Sequence, residues 1–137
     1  MTSGPTRKRV VFAEEGQRHA SPIPEAVIAN GFVFLSAVRG VNPESQQVEL
    51  DDPEAQSRQL FENIKSTLRA VGGTLDDIVK IAVFMKDLGD RDAFNKVWKE
   101  YFGEEPPARF AAQVVDIGVL GDKTKFLADV TALAPDG

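Results

Sequence analysis

The stretch "PEAVIANGFVFLSAVRG", Pro24 to Gly40, sets the architecture of the chain. Two apolar runs, "VIA" and "FVFLSAV", flank Asn30-Gly31, the residue pair that best accepts the positive φ angles of a type I′ turn. The spacing predicts an antiparallel hairpin. Its second strand would alternate Phe32, Phe34, Ser36 and Val38 on one face with Val33, Leu35, Ala37 and Arg39 on the other. Both faces are largely apolar, the pattern of a strand in a covered sheet.

Upstream of the hairpin, "KRVVFAEE" offers an earlier short strand. Downstream, "NPESQQVELDDP" is polar and turn-rich, and Asp52-Pro53 supplies an N-cap followed by proline at the first helical position. Leu60, Phe61, Ile64, Leu68 and Val71 then recur at three- and four-residue spacing, and Gly72-Gly73 supplies the left-handed stop. In "LDDIVKIAVFMKDL", Ile81 to Met85 reads as a buried strand. A second helix over about residues 90 to 102 aligns Phe94, Val97, Trp98, Tyr101 and Phe102 as an apolar stripe suited to core packing. After Pro106-Pro107 come two strand-like runs, "RFAAQVVDI" and "KFLADVTALA", separated by "GVLGDKTK". The order β-β-β-α-β-α-β-β points to an α+β fold with two helices on one face of a mixed sheet. Residues 1–137 are expected to form a single domain, with 1–9 and 135–137 flexible.

Composition narrows the chemistry. The chain has 42% hydrophobic and 27% charged residues, as in an ordinary globular protein, and no cysteine. Disulfides, thiolate-metal sites and cysteine nucleophiles are therefore excluded. The one histidine, His19, sits among small and polar residues and reads as a surface residue, which weakens any Ser-His triad or zinc hydrolase. With a net charge of −5, and "TRKR" at 6–9 as the one basic cluster, nucleic acid is not an expected partner. No apolar run reaches a membrane span, and a cytoplasmic setting is expected.

The chemistry-bearing candidates lie on the last two strands. Arg109 follows Pro106, Pro107 and Ala108, so a stiff backbone delivers it to the start of a strand. Guanidinium is a planar fork of donors suited to a carboxylate or phosphate, but spacing alone favours a salt bridge to a nearby acid. Asp129 lies among apolar residues of the final strand; if central in the sheet it needs pairing, and Arg109, expected one strand away, is the obvious partner. A carboxylate there is either structural or positions a water for attack. No phosphate-cradling glycine loop, dinucleotide fingerprint or metal-spaced cluster is present.

Several stretches together resemble the Rid (YjgF/L-PSP) family of enamine/imine deaminases: "ANGFVFLSAVRGVNPESQQV", the "EAQ.RQ...NI" helix, the "DIVK..VF.KD" strand, "FN.V..EYF", "PPAR" and the closing "ADVTALA". The resemblance runs from about Pro22 to Ala134. It implies a chorismate-mutase-like fold assembled as a homotrimer with sites between subunits, which would also cover a sheet apolar on both faces. It implies hydrolysis of a 2-imino acid to a 2-oxo acid and ammonia, with no metal or organic cofactor. Arg109 matches the arginine that binds the substrate carboxylate, and Asp129 the acid that orients water, where the family more often has glutamate. The resemblance also places Ser36, Ala37, Asn95, Phe110, Ala111 and Ile23 around the substrate. Ile23 replaces an expected tyrosine, Ala37 a glycine and Phe110 a small polar residue, and the loop "DIGVLGDKTK" is longer than usual. These departures leave room for a pathway-specific deaminase of a larger substrate, such as an aminomuconate, or for a non-catalytic small-molecule-binding or chaperone-like trimer. Ribonuclease or translation-inhibitor activity ranks last, because the acidic chain lacks a basic-aromatic surface.

Overall fold

The computed structural model describes residues 7–117 and 123–135. Expectations for the remaining ends, and for the middle of the long loop after Ile117, lie outside the described residues.

The expected hairpin forms. Strands β2 (Ala26–Ala29) and β3 (Phe32–Leu35) pair antiparallel, with Asn30 at φ 51° and Gly31 at φ 81° in the turn. Strand β1 (Arg9–Val11) adds to β2 at the edge. The second hairpin strand is shorter than its alternation suggested. It ends at Leu35, where the Ser36 hydroxyl turns back to donate to the Pro24 carbonyl, and Val38 makes only an isolated bridge to Ala128.

Helix α1 (Pro53–Ala70) starts where Asp52 accepts a hydrogen bond from the Ala55 amide at 2.9 Å. It stops at Gly72, φ 80°, where Gly72 N–H donates to the Arg69 carbonyl and Gly73 N–H to the Leu68 carbonyl. This reciprocal pair satisfies carbonyls that the helix end would otherwise orphan. Strand β4 (Ile78–Met85), helix α2 (Arg91–Tyr101), β5 (Ala108–Gln113) and β6 (Phe126–Leu133) complete the chain.

The sheet order is β1-β2-β3-β6-β4-β5, with β4 and β5 parallel and all other neighbours antiparallel. The two helices cover one face. Leu60, Phe61, Ile64 and Leu68 of α1 and Phe94 and Val97 of α2 bury against Val33, Ile81, Val83, Met85, Phe126, Ala128 and Val130. Phe61 stands at the centre, stacked on Tyr101 at 5.0 Å and 5.4 Å from Phe94. The other face carries Phe32, Phe34, Phe110 and Leu133, each between 38% and 47% exposed. The covered sheet read from the hairpin is thus covered on one side only within the chain. No helix among the described residues is long and apolar enough to cross a membrane.

Candidate functional site

Arg109 is the second residue of β5, the edge strand on the far side of the sheet from β1. Parallel register sets it beside Ile81, which is fully buried under the helices, so its side chain lies on the helix-covered face. There its guanidinium carbon lies 4.9 Å from the centre of the Trp98 ring and 5.2 Å from that of Phe94. The aromatic stripe of α2 therefore packs the core and also backs a cation, a contact that is favourable to the ring face. Burial, and secondarily repulsion from Arg91, holds the Arg109 pKa below its ordinary value. Among the described residues no carboxylate forms an ion pair with it.

The salt bridge favoured on spacing is therefore not formed. The expected pairing with Asp129 also fails, for a topological reason. Strand β4 lies between β5 and β6, so the two residues are two strands apart rather than one. Asp129 pairs with Ala82, one position out of phase with Ile81, so it stands on the uncovered face and is exposed. Exposure, not pairing, is what lets this acid sit in a central strand.

Phe110 shares that uncovered face. It pairs with Ala82 from the other side, so Asp129, Ala82 and Phe110 form one row across β6, β4 and β5. The Phe110 ring meets Phe84 edge-on at 5.8 Å and lies 5.7 Å from the Lys80 ammonium. Its bulk is thus directed away from the Arg109 side. Ala111 returns to the Arg109 face, in register with Val83.

Asn95 lies on α2 one residue after Phe94, and its Oδ1 is buried with no hydrogen-bond partner among the described residues. A buried acceptor left unpaired is costly and marks a place where a ligand or water donor belongs.

Ser36, Ala37 and Ile23 form a separate group beside β3, three strand positions from β5, or roughly 14 Å at the usual strand spacing. The Ser36 hydroxyl is engaged with Pro24, and its amide donates to the Glu25 carbonyl at 3.0 Å. The Ala37 carbonyl accepts from His19 Nε2 at 2.6 Å and from the Gln17 side chain at 3.4 Å. Ile23 is 48% exposed. One chain accordingly holds Arg109, Ala111 and Asn95 at one edge, and Ser36, Ala37 and Ile23 well away from them, with Asp129 on the uncovered face.

Two residues with consequences here were missed in the sequence. His19 is not a plain surface residue: its ring spans the Ala37 carbonyl and the buried Glu25 carboxylate, Nδ1 to Oε2 3.1 Å. Glu25 also accepts from the Ala13 and His19 amides. These contacts join residues six to eighteen positions apart through turns rather than a regular element, so no hydrophobic period or cap motif announces them. Arg91 did have a signal, since it precedes Phe94 and Trp98 by three and seven residues and so shares their side of α2. No group of three or more His, Asp or Glu able to hold a metal occurs among the described residues.

Known proteins share both this sequence pattern and this fold. Residues 18–132 match the family described as Endoribonuclease L-PSP. A RutC family protein of Pyrococcus horikoshii is 37% identical over 107 residues, covering 78% of this chain and 85% of that protein. The protein named 3-aminoacrylate deaminase RutC from Acinetobacter baylyi is 34% identical, with 78% and 85% covered. Among solved structures, E. coli TdcF with bound serine superposes with a TM-score of 0.81 at 27% identity, covering 91% of this chain and 98% of that one. On this match of sequence and fold, the chain belongs to the Rid (YjgF/L-PSP) family.

Proposed function

We propose that the protein is a cofactor-free hydrolytic deaminase of reactive imines and enamines that bear a carboxylate, converting a 2-imino acid and water to a 2-oxo acid and ammonia. The observation that carries this reading is Arg109: half-buried, backed by Phe94 and Trp98, and without a carboxylate partner among the described residues. Such a cation favours an incoming anion, because the ligand supplies the counter-charge that the fold omits. The relative named 3-aminoacrylate deaminase supports the reaction class, and the bound serine of TdcF supports a small carboxylated ligand.

The chemistry demands little of the side chains. Arg109 holds the carboxylate and so fixes the adjacent C=N carbon. Asn95 Oδ1 accepts the N–H of the substrate, which relieves its own unpaired state. Water adds to the carbon and one of its protons passes to nitrogen; the remaining hydroxyl proton then passes to the amine as the C–N bond breaks, which leaves the 2-oxo acid and ammonia. Asp129 orients that water.

Asp129 can take this role only in a cleft built from two subunits, because β4 separates it from Arg109 within one chain. The same reading assigns a homotrimer in which the uncovered face, with Phe32, Phe34, Phe110 and Leu133, packs against its neighbours. An apolar patch of this kind on a sheet marks an interaction surface. It also brings Ser36, Ala37 and Ile23 of one subunit toward the Arg109 edge of the next.

The test is to generate 2-iminopropanoate and longer 2-imino acids in situ and to follow their loss. Rates above buffer are expected. Rates equal to buffer for every imine remove the deaminase reading and favour a trimer that binds small molecules without turnover.

A further inference from the structure

Arg91 opens α2, and Phe94 and Trp98 follow it at three- and seven-residue spacing, so the three side chains leave the helix on one side. That is the side over which the Arg109 guanidinium lies, 5.2 Å from Phe94 and 4.9 Å from Trp98. Asn95, four residues after Arg91, borders the same stripe with its orphaned acceptor. The edge of the molecule between α2 and β5 thus presents two guanidinium groups beside Trp98, with the buried, unpaired Asn95 oxygen behind them.

Two like charges placed together raise each other's energy unless something neutralises them. Here nothing in the fold does so: among the described residues neither Arg91 nor Arg109 has an acid within ion-pair distance. Asp87, Asp90 and Asp92 are close in sequence, but among the described residues none of them forms an ion pair with either arginine. The repulsion between the arginines is felt at Arg109, whose pKa it helps to depress. A ligand with one carboxylate would leave one of the two cations uncompensated.

We propose that Arg91 binds a second carboxylate in the cleft anchored by Arg109, so that the preferred substrate is a 2-imino or enamine dicarboxylic acid. This rests on the reading of Arg109 as a carboxylate anchor. The spacing suits it, since along α2 Arg91 lies about one helical turn from Phe94 and about two turns, roughly 10 Å, from Trp98, the two rings that back Arg109. A short dicarboxylate extended along the edge beside the partly exposed Trp98 can reach both guanidinium groups while its C=N carbon stays beside Arg109. Arginine suits the second position because its fork meets a carboxylate in two hydrogen bonds and keeps its charge at any working pH.

The experiment separates binding from turnover. Affinities for 2-oxoglutarate, a dicarboxylic product analogue, and 2-oxobutanoate, a monocarboxylic one, are measured by calorimetry on the purified full chain and on its Arg91→Gln and Arg91→Lys variants. The imines generated from glutamate and from alanine are assayed in parallel. The wild type is expected to favour 2-oxoglutarate by about tenfold, the effect of one added charged hydrogen-bonded pair. Arg91→Gln is expected to bring the ratio close to one, and Arg91→Lys to keep part of it. A wild-type ratio near one, a ratio unchanged in Arg91→Gln, or no binding of either acid overturns the proposal. If the ratio behaves as expected but neither imine is hydrolysed, the deaminase reading fails and the second-carboxylate site stands. Hydrolysis of the alanine-derived imine with a ratio near one removes the second-carboxylate site and leaves the deaminase reading in place.

Discussion

Arg109 and Asp129 stand on opposite faces of the sheet with β4 between them: Arg109 pairs with Ile81 under the helices, and Asp129 with Ala82 on the uncovered side. If both serve one reaction, they do so from different subunits.

Mixed trimers test that division. Arg109→Ala and Asp129→Asn should each lose most activity alone. Refolded together in equal amounts, they should regain about a quarter of the wild-type rate, because in a cyclic trimer that share of interfaces pairs an intact arginine with an intact acid. No recovery beyond the sum of the separate variants would place both residues in one subunit's site, or remove Asp129 from it.

The uncovered face gives a second expectation. Phe34 and Phe110 are each 46% exposed on it. In the proposed trimer, replacing either with aspartate is expected to shift the sedimenting species from three chain masses toward one, since a charge at the centre of an apolar interface is desolvated without a partner. A trimer that survives both Phe34→Asp and Phe110→Asp would locate the interface elsewhere.

Gly40 links the loop after β3 to helix α1. A Cβ added there would lie 2.6 Å from the backbone carbonyl oxygen of Gln56. That atom cannot swing aside as a side chain can. Gly40→Ala is therefore expected to destabilise by about 2 kcal/mol, read as a lower urea midpoint at unchanged slope. A midpoint equal to wild type would mean that the loop relaxes freely.

The helices are tied across their outer surfaces by Arg58, which donates to Glu100 through Nη2 at 2.7 Å and Nε at 3.0 Å. Hydrogen bonding from Arg58 is the main cause holding the Glu100 pKa below its ordinary 4.5. A carboxylate depressed in the folded state adds stability above its unfolded pKa and loses it as pH falls through the folded one. Urea midpoints of wild type and Glu100→Gln should thus differ slightly at neutral pH, converge in acid below 4.5, and also converge at high salt. A difference that persists in acid would point to packing rather than charge.

Much of this architecture is legible in the chain because it is encoded locally. Asn30-Gly31 specifies the hairpin, Asp52-Pro53 begins α1 and Gly72-Gly73 ends it, each through backbone conformations or hydrogen bonds within a few residues. The faces of the last strands are not encoded that way. Period-two alternation shows that Arg109 and Phe110 point oppositely, but which of them faces the helices depends on β4 inserting between β5 and β6. That is a pairing of segments far apart in sequence. The same limit explains His19, whose partners Glu25 and Ala37 come together only when the N-terminal segment folds along the hairpin. Arg109 and Asn95 could be nominated from motif, but the absence of an ion pair at Arg109 and the orphaned Asn95 oxygen emerge only from the folded arrangement.

The proposed function stands or falls on Arg109 anchoring the carboxylate of an imine during its hydrolysis. The decisive comparison is kcat/KM of wild type and Arg109→Ala on 2-imino acids generated in situ, with circular dichroism and sedimentation confirming that fold and assembly are kept. Catalysis well above buffer is expected in the wild type, with a fall of about a hundredfold in the variant, the order expected for losing a charged hydrogen-bonded pair. Equal rates in the two proteins, at equal fold and assembly, would remove Arg109 from the reaction.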